Sequence, residues 1–246
     1  MHRFFCRNGT IKENTIHITD KTQLHHIRDV LRFKPHDEIF FFDETGFEYT
    51  GTVTAMDKET LTVSITGRKK TPSLRRPFIT IACAIPKQTK MEDIVDKLTQ
   101  LDVDRIIPMI TERVIVQLDQ HKKMLKLSRW EKIAVQASQQ SMRKTLPIIG
   151  PVLSFTEVLA ETSGFKLKII PTLEGEQSHI REIMHREKIE SVAALIGPEG
   201  DFTPTEVAVA RQHGFIPVSL GETILRVDTA AIAMAALLSI TGKTND

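Results

Sequence analysis

Residues 191–206 read SVAALIGPEGDFTPTE. The stretch begins as a short apolar run of the kind that forms a buried strand. Gly-Pro-Glu-Gly interrupts it, and Thr203 then stands where a helix N-cap is wanted. Pro204 fits the first helical position, and Glu206 sits where a capping box needs a carboxylate. Strand, tight loop and capped helix make one βα unit.

The same grammar recurs through the last two thirds of the chain. FITIACAIP (78–86) is an apolar strand followed by helical KMEDIVDKLTQL, and VDRIIPMIT is another strand. Ser128 with Glu131 offers a capping box for a helix through RWEKIAVQASQQSM. KLKIIPTL (166–173), SVAALIG (191–197) and FIPVSLG (215–221) are further strands, and DTAAIAMAALLSI (228–240) is a closing helix capped by Asp228. Repeated βα units imply an α/β domain whose parallel sheet is covered by helices on both faces. Residues 38–66 differ: EIFFFD, FEYTGTVTAM and TLTVSIT are three β segments, preceded by an amphipathic helix over 23–33. RKKTPSLRRP, with two prolines and dense charge, reads as a linker. A boundary near residue 73 predicts two domains, 1–73 and 74–246.

Composition narrows the class. The 246 residues are 41% hydrophobic and 26% charged, typical of a globular protein. No apolar run approaches the ~20 residues of a membrane span. MHRFFCRNGT is too short in apolar residues for a secretory signal. Cys6 and Cys83 form neither a disulfide nor a metal-ligand pattern, so a cytoplasmic protein without a metal is expected. Net charge is only +2, but residues 1–36 hold Arg3, Arg7, Lys12, Lys21, Arg28, Arg32 and Lys34 against Glu13, Asp20 and Asp29. RKKTPSLRR (68–76) adds a second basic cluster, and together they make nucleic acid a partner to test.

Ligands of doubly wound sheets sit at the carboxyl ends of the strands. Here three strand ends carry the loops PTLEGE, GPEGDFT and LGETILR. A helix N-terminus favours an anion, yet Glu199 and Asp201 would repel one. Neither GxGxxG nor GxxxxGK[ST] occurs in the chain. A phosphate-free ligand bearing positive charge and ribose hydroxyls fits, and S-adenosylmethionine has that chemistry. In the third loop Gly221 allows close backbone approach. Arg226 can pair with a phosphate or polarise a carbonyl oxygen.

LIGPEGDF, LGETILRVDTA, RWEKIAVQASQQSMR and MITERVIV together resemble the RsmE family of SPOUT methyltransferases. HHIRDVLRFKPHDEI resembles the helix-to-strand segment of that family's PUA-like RNA-binding domain. The resemblance implies methylation of N3 of a uridine in 16S ribosomal RNA of the small subunit, with S-adenosylmethionine as cofactor. It also implies a deep trefoil knot in the C-terminal domain and a homodimer. Carried over by motif, the cofactor loops are Thr172, Leu173 and Glu174, then Leu195, Ile196, Gly197, Pro198, Glu199 and Gly200. The third comprises Leu220, Gly221, Ile224, Leu225 and Arg226, with Thr229 and Ala230. Arg143, Lys97 and Arg113 fall where the family supports the site or contacts RNA, and Arg3, Arg7, His25, Arg28 and Arg32 are expected on the RNA side. The chain departs from the family at Asp201, usually glycine, at Asp228, usually glutamate, and at QLDV (100–103), usually ELGV.

Methylating uridine N3 requires in-line placement under the sulfonium methyl and stabilisation of negative charge on the uracil carbonyls. Arg226 is the expected stabiliser, and Glu199 or Asp228 the group that orients or deprotonates the base. A SPOUT ribose 2′-O-methyltransferase acting on transfer RNA and a non-catalytic RNA-binding protein are the alternatives.

Overall fold

The computed structural model describes residues 2–71, 76–87, 90–114, 119–180, 183 and 189–241. The chain forms two compact units, one of residues 1–73 with 138–146, the other of 74–137 with 147–246. Within the expected linker, residues 72–75 lie outside the described residues, whereas Arg68, Lys69 and Lys70 complete a strand.

In the first unit the strands β1 (Arg3–Phe5), β2 (Ile11–Lys12), β3 (Thr15–Ile18), β4 (Glu38–Phe42), β5 (Phe47–Met56) and β6 (Leu61–Lys70) form one sheet, ordered β1-β4-β5-β6-β3-β2. Side-chain alternation explains it: Tyr49, Gly51 and Val53 point inward from β5, while Thr50, Thr52 and Thr54 do not. Asp43 folds the β4–β5 turn. One of its oxygens accepts from the Thr45 and Phe47 amides at 2.9 Å each, and the other from the Tyr49 hydroxyl at 2.7 Å. Burial and that carboxylate push the Tyr49 hydroxyl up to about 12. The expected helix near 23–33 is α1 (Lys21–His25), capped by Asp20 on the Gln23 amide and prolonged by a π-turn over His26–Val30. Leu24 and Ile27 close the core beside Phe4, Phe41 and Leu61.

The second unit holds a parallel sheet ordered β10-β8-β7-β13-β11-β14-β12, with β9 beside β8. Its main strands are β7 (Phe78–Ala84), β8 (Arg105–Ile110), β11 (Leu167–Pro171), β13 (Ser191–Ile196) and β14 (Ile216–Ser219). Shorter strands are β9 (Ile148–Ile149), β10 (Leu153–Ser154) and β12 (Ser178–His179). Helices are α2 (Lys90–Gln100), α3 (Gln120–Gln140, whose last three residues fall in the first unit), α4 (Phe155–Glu161), α5 (Pro204–Gln212) and α6 (Val227–Thr241). Both faces of the sheet are buried. Ile79, Ile81, Val192, Ala194 and Ile196 face the layer with α2, α3 and α6, while Ala82, Ala193 and Leu195 face Phe155, Val158 and Val207 of α4 and α5.

Two helix starts differ from expectation. Ser128 lies inside α3, because Asp119 caps that helix nine residues sooner by accepting the Lys122 amide at 2.8 Å. Asp228 is the second residue of α6 and not its N-cap: the Arg226 carbonyl already accepts the Ala230 amide at 2.8 Å. The expected capping box of α5 is present, with Thr203 and Glu206 bonding reciprocally. An equivalent box, Ser154 with Glu157, starts α4 and went unread in the sequence. Among the described residues, no helix is long and apolar enough to cross a membrane.

Candidate cofactor cleft

β11, β13 and β14 are neighbours and end on the same edge, since β13 and β14 both run parallel to β11. Their exit loops therefore meet. They line a cleft that is open to solvent on one side. Pro171, Thr172 and Leu173 supply the first wall, and Ile196, Gly197, Pro198, Glu199 and Asp201 the second. Val218, Ser219, Leu220, Gly221, Thr223, Ile224, Leu225, Val227 and Ala230 supply the third. This lining contains two carboxylates and no lysine or arginine.

Most residues of the sequence-derived cofactor set thus line the cleft, but not all. Leu195 is fully buried in the core beneath it, and Glu174, Gly200, Arg226 and Thr229 stand outside its lining. Pro171, Val218 and Ser219 were missed although they end strands, where the carboxyl-end rule would have found them.

Local contacts explain the loop geometry. A Cβ at Gly197 would meet the Phe202 ring at 3.0 Å, so that turn needs glycine for space. At Gly221, in the cleft lining, nothing lies within 4 Å of an added Cβ, and the φ of +128° is what calls for glycine. Arg113 donates to the Gly200 and Phe202 carbonyls at 2.5 and 3.4 Å, which pins the outer turn of the second loop. Glu206 turns one oxygen to the Thr203 amide and the other to the Glu112 amide, both at 2.9 Å, tying α5 to the end of β8.

The proposed catalytic side chains are arranged unequally. Glu199 is exposed at the cleft, and Arg226 is exposed, its guanidinium making no hydrogen bond or ion pair among the described residues. Asp228 is half-buried, and its Oδ1 is buried without a hydrogen-bond partner among the described residues. Burial pushes the Cys83 thiol far up, and the Glu199 and Asp228 charges add to this, so Cys83 stays a protonated core residue.

On the first unit, Arg7, His25 and Arg32 are exposed and Arg28 is half-exposed. The Arg28 guanidinium clasps both Asp29 oxygens at 2.7 Å, and these bonds, with one to His25, hold the Asp29 carboxyl well below its usual range. Arg3 and Arg143 are corrections. Both are buried, at 7% and 6% exposure. Arg3 stacks on Phe42 at 4.4 Å, pairs with Glu48 at 2.6 Å and donates to the Arg143 carbonyl. Arg143 donates to the Thr145 carbonyl at 2.8 Å. Neither guanidinium can reach a phosphate without leaving the interior. Lys97 is exposed, paired with Asp96 at 2.7 Å.

The comparisons with known proteins agree with this architecture. Residues 74–239 match a family described as an RNA methyltransferase domain, and residues 18–66 one described as an RNA methyltransferase PUA domain. The fold and its cleft thus define an RNA methyltransferase with an α/β SPOUT-type domain and a PUA-like domain. The ribosomal RNA small subunit methyltransferase E of Bacillus subtilis is 30% identical, covering 97% of this chain and 96% of its own. A solved enzyme of that name from Neisseria gonorrhoeae, bound to S-adenosyl methionine, superposes with a TM-score of 0.84. It is 27% identical and covers 98% of this chain and 97% of its own. A protein from Legionella pneumophila described as a methyltransferase, solved with the cofactor SAM, gives a TM-score of 0.87, 28% identity and coverages of 98% and 97%. The chain belongs to the RsmE family, the ribosomal RNA small subunit methyltransferases E.

Proposed function

We propose that this protein methylates N3 of a specific uridine in 16S ribosomal RNA of the small subunit, using S-adenosylmethionine held in the cleft between the β11, β13 and β14 loops. The observation that carries this reading is the lining itself. It is mostly apolar and has carboxylates where a phosphate-bearing cofactor would need cations. A sulfonium is favoured in such a field and a triphosphate is not.

The cofactor, when bound, supplies the methyl group. The chain's own residues then orient the base and manage charge. Glu199, exposed in the lining of the cleft, is the first candidate to accept the uridine N3–H. Arg226, exposed at the end of the third loop, offers a cation to the uracil carbonyls as charge develops. Asp228, whose Oδ1 is buried without a hydrogen-bond partner among the described residues, is the second candidate to orient or deprotonate the base. Arg7, His25, Arg28 and Arg32 and the basic end of β6 supply RNA affinity. A deep trefoil knot belongs to the same reading. It is supported by the return of β14 to the far side of β11 and by the packing of α6 on α2, β7 and β13. A homodimer is supported by Ile224 and Ile240, apolar yet 77% and 72% exposed.

Titration calorimetry tests the cleft. S-adenosylmethionine is expected to bind with a micromolar-range Kd, and ATP at the same concentrations to give no heat of binding. Tight ATP binding, or no S-adenosylmethionine binding, would contradict the assignment.

A further inference from the structure

Asp201 sits at φ +61°, in the left-handed region that glycine enters freely and other residues at a cost. The family resemblance expects glycine here, so the aspartate must return something for that backbone. Its side chain shows what. One carboxylate oxygen accepts from the Leu173 amide at 2.7 Å and from the Thr172 hydroxyl at 3.0 Å. The other accepts from the Phe202 amide at 2.8 Å. The Asp201 amide donates to the Pro198 carbonyl at 3.0 Å, closing the Gly-Pro-Glu-Gly turn. Thr172 in turn accepts the Glu174 amide at 3.1 Å. A single carboxylate therefore joins the exit loop of β11 to the exit loop of β13, and Asp201, Thr172 and Leu173 all line the cleft. Glycine would relax the backbone but leave the two walls unlinked.

We propose that Asp201 is a positioning residue: its carboxylate straps the first wall of the cleft to the second and so sets affinity for the cofactor, while chemistry is left to other groups. The proposal rests on the reading of the cleft as an S-adenosylmethionine site. Bonds to a carboxylate are stronger than neutral ones, and walls held in place before binding spare the ligand the cost of ordering them.

The test compares full-length wild type with Asp201→Gly and Asp201→Asn, whose amide oxygen can still accept from Leu173 and Thr172. In Asp201→Gly the Leu173 amide is expected to exchange hydrogen at least about tenfold faster, and KM for S-adenosylmethionine to rise about tenfold, with kcat within about twofold. Asp201→Asn should recover most of both losses. A merely structural role would lower the melting temperature of the variants and leave KM unmoved, which overturns the proposal. Unchanged exchange at Leu173 also overturns it. Should wild type itself fail to bind S-adenosylmethionine, the cofactor reading fails and the strap's role in affinity falls with it. Wild-type binding with an unchanged KM in Asp201→Gly removes the strap alone.

Discussion

Replacing Arg226 by alanine is expected to lower kcat about 10²–10³-fold while leaving the Kd for S-adenosylmethionine within about threefold of wild type. The magnitude is that of losing one preorganised group facing developing negative charge. The expected separation of kcat from cofactor affinity follows from position. The Arg226 side chain is exposed and outside the cleft lining, so it takes no part in building the pocket. Its backbone carbonyl starts α6 by accepting the Ala230 amide, and alanine keeps that carbonyl. Its guanidinium makes no hydrogen bond or ion pair among the described residues, so the fold loses nothing when it is removed. Single-turnover kinetics on ribosomal substrate, beside calorimetry with the cofactor, check this. Near wild-type turnover would remove Arg226 from the mechanism.

RNA affinity is expected to fall about 10²-fold between 50 and 200 mM salt, as for a protein that neutralises about four phosphates. The candidates are the cations left free by the fold of the first unit. Arg7 and Arg32 are exposed, and Arg68, Lys69 and Lys70 stand exposed at the end of β6. Arg68 is also stacked 3.8 Å from the Phe47 ring centroid, an arrangement that presents a cation and an aromatic edge together. Arg3 and Arg143 contribute nothing to the slope, because their guanidinium groups are spent inside the protein. Filter binding across a salt series measures it. Arg7→Glu and Arg32→Glu should each flatten the log–log slope by about one. Affinity indifferent to salt would detach this surface from RNA binding.

The strands and helices that carry the cleft were legible in the sequence for a physical reason. A parallel sheet buried on both faces demands continuous apolar runs, and FITIACA, SVAALI and LKIIP are such runs, bounded by loops that break them. The α5 start was legible because capping is local: Thr203 and Glu206 contact each other and nothing distant decides it. Strand pairing was not. The strand order β7-β13-β11-β14 depends on which strands meet after long crossovers, and periodicity is silent on that. The membership of 138–146 in the first unit is a long-range fact of the same kind. For the site, the loops were found and their burial was not. Arg3 reads as a surface cation until Phe42 and Glu48 enclose it. Asp201 reads only as a departure from the family's glycine until the Thr172 hydroxyl and Leu173 amide are seen to meet its carboxylate. Asp228 reads as a cap until the Arg226 carbonyl is seen to start the helix.

The most direct test treats small ribosomal subunits, and separately transfer RNA, with the purified protein and isotopically labelled S-adenosylmethionine, then maps the labelled nucleotide and atom by mass spectrometry. The expected result is one methyl group on N3 of a single uridine of 16S ribosomal RNA, and none on transfer RNA. A label on a ribose 2′-oxygen, on transfer RNA, or on no RNA at all would contradict it.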